Sequence, residues 1–126
     1  MLQNSSVSIS FTSLGQLRYL SAIQFMDVVV GNSSSGLIEV PSFKKATINI
    51  GDRQQGRVKA TSVIDCETDN SEIEKAIKKA LSVEFKEELK ASKNPYGDKN
   101  SSIEIVEVLK SIDLKSIIKK QFYNLK

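Results

Sequence analysis

The period of the apolar pattern changes several times along this chain, and each change marks an element. Val28, Val29 and Val30 run without alternation, which predicts a strand over residues 27–30 buried on both faces of a parallel sheet. Ala46–Ile50 predicts a second strand, with Ile48 and Ile50 inward and Asn49 outward. Residues 7–11 alternate apolar and polar and predict a further short strand; residues 62–66 predict another. Leu17, Leu20 and Ile23 recur at helical spacing. A helix is therefore expected over about 14–25, capped by Thr12 and Ser13 and weakened at Gly15. Ile73, Ala76, Ile77, Ala80 and Leu81 form one amphipathic stripe, a helix packed on the sheet.

Further on, residues 84–91 suggest another turn or two of helix, and 94–98 form a loop by their Pro and Gly. Ser101 or Ser102 can cap a helix that ends at Ser111 and buries Ile103, Val106 and Leu109. The segment 114–124 is helix-prone, with apolar and basic faces. It suits packing against a domain outside this chain better than a membrane surface. Two strands joined through one helix make a right-handed parallel crossover. The fold class is α/β: a Rossmann-like parallel sheet flanked by helices, in one domain of 126 residues.

The chemistry gathers after Val30. Gly31 and Asn32 break the strand; Ser33, Ser34 and Ser35 offer capping hydroxyls; Gly36 permits close approach before a short helix that Pro41 should kink or end. A strand running through a small polar turn into a helix N-terminus presents free N–H groups and a positive dipole end to an anion. Such sites lie at the carboxyl ends of parallel strands. The loop 51–56 (GDRQQG) follows the next strand on the same sheet edge, so Arg53, with help from Arg57, is placed to reach the same anion.

Composition narrows the choices. Histidine is absent, which removes Ser-His-Asp and Cys-His catalysis and histidine metal sites. The serines lack Gly-x-Ser-x-Gly spacing, so no nucleophile elbow is read here. Cys66 is alone, which excludes a disulfide framework and a thiolate cluster; no metal or cofactor is expected. The 18 basic and 15 acidic residues are interspersed for a net charge of +3, without the concentrated basic face of a nucleic-acid binder. No apolar run approaches the ~20 residues of a membrane span, and the default expectation is a cytoplasmic protein.

Three blocks together carry a family resemblance: GNSSSGLIEVPSF (31–43), TINIGDRQQGR (47–57) and NPYGDKNSS (94–102). With the closing LKSIDLKSIIKKQF they resemble the C-terminal domain of hydrolysing UDP-N-acetylglucosamine 2-epimerases of sialic-acid-type sugar biosynthesis, over nearly the whole chain. The resemblance implies half of a GT-B-type two-domain fold, with the active site in the cleft between two Rossmann-like halves. It implies anti elimination of UDP to a 2-acetamidoglycal, then addition of water, on UDP-N-acetylglucosamine or a UDP-diacetamido sugar. Carried over by position, Ser33 and Ser34 would hold the diphosphate, with Ser35 and Gly36 completing that turn. Glu39 would accept from the ribose hydroxyls, a role suited to a two-oxygen carboxylate. Arg53 would meet a phosphate, and the 12–14 segment would lie beside the uracil.

One departure bears on activity. In that family the acid/base carboxylates belong to the N-terminal domain and a histidine lies before the region seen here; this chain has neither. It also starts short of the first βα units, as a fragment, a truncation or the product of a broken reading frame would. The expectation is a UDP-binding half, inactive alone, whose full-length relatives are homo-oligomers. The alternative is a non-catalytic α/β module that binds phosphate, nucleotide or a partner.

Overall fold

The computed structural model describes residues 8–97 and 100–113. Its centre is a sheet of three parallel strands, β1 (Val28–Gly31), β2 (Ala46–Ile50) and β3 (Val63–Cys66), in the order β1-β2-β3. Val28 pairs with Ala46 and Gly31 with Asn49; Thr47 pairs with Val63 and Ile50 with Cys66. The expected α/β class, a Rossmann-like parallel sheet flanked by helices, is the observed one.

β2 lies in the middle and is covered on both faces. On one face Ala46 and Ile48 pack with Ala76 and Ala80 of α3 (Asn70–Leu81) and with Phe85 and Leu89 of α4 (Val83–Ala91). On the other, Thr47 meets α2 (Ser35–Ile38). Asn49 was expected to point outward and does not: it is 1% exposed, because a central parallel strand has no solvent face. Its amide donates to Asp65 Oδ1 (2.7 Å), and Lys59 donates to the same carboxylate. Burial pushes the Asp65 carboxyl up, but the hydrogen bonds from Lys59 and Asn49 outweigh it and leave it below the ordinary aspartate range.

The helices follow their sequence signals unevenly. α3 starts at a side-chain cap, where Asp69 accepts from the backbone N–H groups of Ser71 (2.9 Å) and Glu72 (3.3 Å). Ala76 and Ala80 of its stripe are buried, Ile73 and Ile77 half-buried, and Leu81 stays exposed. Helix α1 (Gly15–Ile23) forms with Ser13 Oγ accepting from Gly15 N (3.2 Å). Its expected face is only partly used: Ile23 is fully buried, but Leu17 is 80% exposed. α2 ends at Ile38, and Pro41 sits in the 3₁₀ turn Val40–Phe43 that follows.

Two further expectations are corrected. Residues 8–11 are not a strand; Ile9 and Phe11 are exposed, and alternation without a neighbouring strand cannot satisfy a ladder. Val7 lies outside the described residues. Helix α5 (Ser101–Ser111) is present, but Ile103, Val106 and Leu109 are exposed, since nothing among the described residues covers them. The segment 114–124 also lies outside the described residues. Among the described residues, no helix is long and apolar enough to cross a membrane.

Candidate functional site

The carboxyl ends of the strands bring the two predicted loops together. Beyond β1, the chain turns at Asn32 and enters α2 through the three serines. Beyond β2, residues 51–57 fold back over that turn. Gly51 and Gly56 supply the positive φ values (73° and 78°) that let the loop reverse. Arg53 Nη1 reaches Asn32 Oδ1 at 3.4 Å, and Gln54 Nε2 donates to the Asn32 carbonyl at 2.8 Å. Gln54 is 3% exposed although it lies in a charged loop, so it acts as the peg that holds this loop to the serine turn. The guanidinium of Arg53 is exposed and makes no ion pair among the described residues.

Beside the turn opens a cleft of ≈ 840 Å³. Ser33, Ser35 and Glu39 form its polar side, while Leu14, Val29 and Val30 contribute apolar surface and Ser13, Gln16 and Tyr19 complete the wall from the α1 side. Of the 12–14 segment, Ser13 and Leu14 border the cleft.

The serines divide their work. Ser34 occupies the N-cap position in helical conformation and makes no side-chain capping bond, contrary to the capping pattern expected of it. Ser33 closes the turn with its carbonyl, which accepts from Gly36 N (3.1 Å), and its hydroxyl lies 3.4 Å from Ser35 N. The Ser35 hydroxyl is bound to Glu39 Oε2 (2.5 Å) and to the Tyr19 hydroxyl (2.7 Å). Gly36 faces away from the cleft. A Cβ there would stand 2.6 Å from Thr47 Cγ2, and its carbonyl accepts from Thr47 Oγ1 at 2.8 Å. The glycine thus serves the docking of α2 onto β2. Of the six residues named from sequence, Ser33, Ser35 and Glu39 meet in the cleft, Ser34 and Gly36 belong to the same turn, and Arg53 stands across Asn32.

A second brace was not legible in the sequence. Asn94 is buried and donates to the Ile38 carbonyl (2.8 Å) and the Ser42 hydroxyl (2.6 Å), clamping the exit of α2. Lys44, in left-handed conformation (φ 55°), donates to the Ser92 carbonyl. The Asn-Pro pair signalled only a loop; its buried amide had no local signature. Cys66 is not part of the site. Burial, with Glu72, Asp65 and Glu67 nearby, pushes its thiol up and away from nucleophilic use.

Comparison with known proteins fits this geometry. A family model described as UDP-N-acetylglucosamine 2-epimerase matches residues 1–110. The chain is 44% identical over 108 residues to "Polysialic acid biosynthesis protein P7" of Escherichia coli, covering 85% of this chain and 28% of that protein. It is 42% identical over 124 residues to a "GDP/UDP-N,N'-diacetylbacillosamine 2-epimerase (hydrolyzing)" of Campylobacter jejuni, covering 98% of this chain and 32% of that one. A Legionella pneumophila "UDP-N,N'-diacetylbacillosamine 2-epimerase (hydrolyzing)" is 37% identical over 100 residues, 79% of this chain and 26% of its own length. The chain therefore spans about a third or less of the relatives it matches. With the family model matched over residues 1–110 and 42–44% identity to two of these relatives, the chain belongs to the UDP-N-acetylglucosamine 2-epimerase family.

Proposed function

We propose that this chain is the UDP-binding part of a hydrolysing 2-epimerase, corresponding to the C-terminal half of a GT-B-type enzyme. The observation that carries this reading is the convergence of the serine turn and the Arg53 loop, bridged at Asn32, beside a cleft that Glu39 lines. Ser33, Ser34 and the turn backbone hold the diphosphate with Arg53, while Glu39 accepts from ribose. In the whole protein, a base removes the C2 proton of the sugar as the C1–O bond breaks and UDP leaves, giving the 2-acetamidoglycal; water then adds. Arg53 and the turn stabilise the charge that builds on the departing diphosphate. The substrate class is a UDP-linked 2-acetamido sugar; the names of two relatives support a diacetamido form and the family description N-acetylglucosamine.

The ribose role separates nucleotide binding from mere anion binding. In calorimetry, Glu39→Gln is expected to weaken UDP about tenfold or more, the loss of a charge-assisted hydrogen bond, and pyrophosphate less than about twofold. Equal losses for the two ligands would favour a plain phosphate module.

Binding is not turnover. Abstraction at C2 needs a positioned base, worth ~10²–10⁴-fold in rate, and among the described residues no carboxylate other than Glu39 lines the cleft. Glu39 is itself committed to ribose. The 126-residue chain incubated with UDP-N-acetylglucosamine is expected to release UDP no faster than a boiled control. Release that Arg53→Ala abolishes would show catalytic groups within the chain and overturn this division of labour.

A further inference from the structure

A chain of hydroxyls runs from α1 to the cleft carboxylate. The Tyr19 phenol stands 2.7 Å from Ser35 Oγ, which stands 2.5 Å from Glu39 Oε2. A carboxylate only accepts, and a serine hydroxyl has a single proton to give. Ser35 therefore donates to Glu39, and Tyr19 donates to Ser35. The three side chains are half-buried, where successive donors polarise and strengthen one another. One carboxylate oxygen is thereby tied down, and the other, Oε1, has no hydrogen-bond partner among the described residues.

We infer that Tyr19 is a positioning residue of the nucleotide site: acting through Ser35, it fixes the Glu39 carboxylate so that the free oxygen is ready for a vicinal diol. This rests on the reading of Glu39 as the ribose acceptor. A glutamate has three rotatable bonds, and ordering them costs free energy at the moment of binding. A carboxylate already held by Ser35 has met much of that cost beforehand, which is how preorganisation raises affinity. Tyr19 itself does not have to touch the ligand's hydroxyls for this to operate. α1 thus takes part in nucleotide selectivity although its own sequence holds no nucleotide motif.

The test compares UDP with 2′,3′-dideoxy-UDP, titrated by NMR into the full chain and its Tyr19→Phe and Glu39→Gln variants. Phenylalanine keeps the ring and removes only the donor. Tyr19→Phe is expected to weaken UDP about threefold to tenfold, the net worth of one hydrogen bond, and to leave the dideoxy ligand within about twofold. A merely structural role would weaken both ligands alike, and that result overturns the proposal. If Glu39→Gln erases the preference for UDP while Tyr19→Phe leaves it intact, the ribose reading stands and the positioning role falls. A wild-type chain with no preference for UDP over the dideoxy ligand removes both.

Discussion

Replacing Gly36 with alanine should destabilise the protein by about 1–3 kcal/mol, although alanine is the better helix former. The added Cβ would lie 2.6 Å from Thr47 Cγ2, closer than packed carbons tolerate. Thr47 cannot simply rotate away. It is buried, and its hydroxyl donates to the Gly36 carbonyl at 2.8 Å, so moving the methyl forfeits a buried hydrogen bond. The propensity gain of Ala over Gly, at most about 1 kcal/mol, offsets only part of this. Urea unfolding measures the loss, and the double variant Gly36→Ala/Thr47→Ser isolates its cause. Serine keeps the hydroxyl and deletes the clashing methyl, so the pair should be more stable than the sum of the single effects by about 1 kcal/mol. Simple additivity would mean that the clash is not what fixes this position.

Arg53→Ala should leave stability nearly unchanged and cost UDP binding about tenfold to 150-fold, or roughly 1.5–3 kcal/mol. The side chain is exposed and forms no ion pair among the described residues, so its removal strands no buried charge in the free protein. Its side-chain contact to Asn32 at 3.4 Å is long for a hydrogen bond and readily exchanged for a phosphate oxygen. Arg53→Lys should fall between the two, because an ammonium keeps the charge but not the two-pronged fork. Uridine, which carries no phosphate, serves as the control ligand in the same calorimetric series. An equal loss for uridine would mean that Arg53 shapes the cleft instead of holding the diphosphate.

What the sequence made legible, and what it did not, follows from the range of the interactions. β2 and α3 were readable as elements because an apolar run and a helical stripe are local patterns, and the serine turn because its residue types are rare in combination. Residues 8–11 misled because alternation says how a strand would face, not whether a neighbour exists for it. Asn49 misled for the converse reason: a polar residue in a central strand is expected outside, yet Asp65 three residues into the neighbouring strand satisfies it within. The Tyr19–Ser35 contact joins positions 16 apart on different helices, and the Asn94 brace joins positions 56 apart. No local pattern encodes either. The helix α5 had the right period and the wrong burial, since amphipathicity specifies a face and not its occupant.

The Asn94 brace also sets an order of events in synthesis. Contacts across such separations carry a larger loop-closure entropy than the strand pairings beneath them. The sheet, α3 and α4 lie within residues 28–91, whereas the exit of α2 gains its clamp only once position 94 has left the ribosome. A nascent chain therefore possesses its core before the exit of α2 is clamped, and the serine turn takes its final shape only after translation has passed that asparagine.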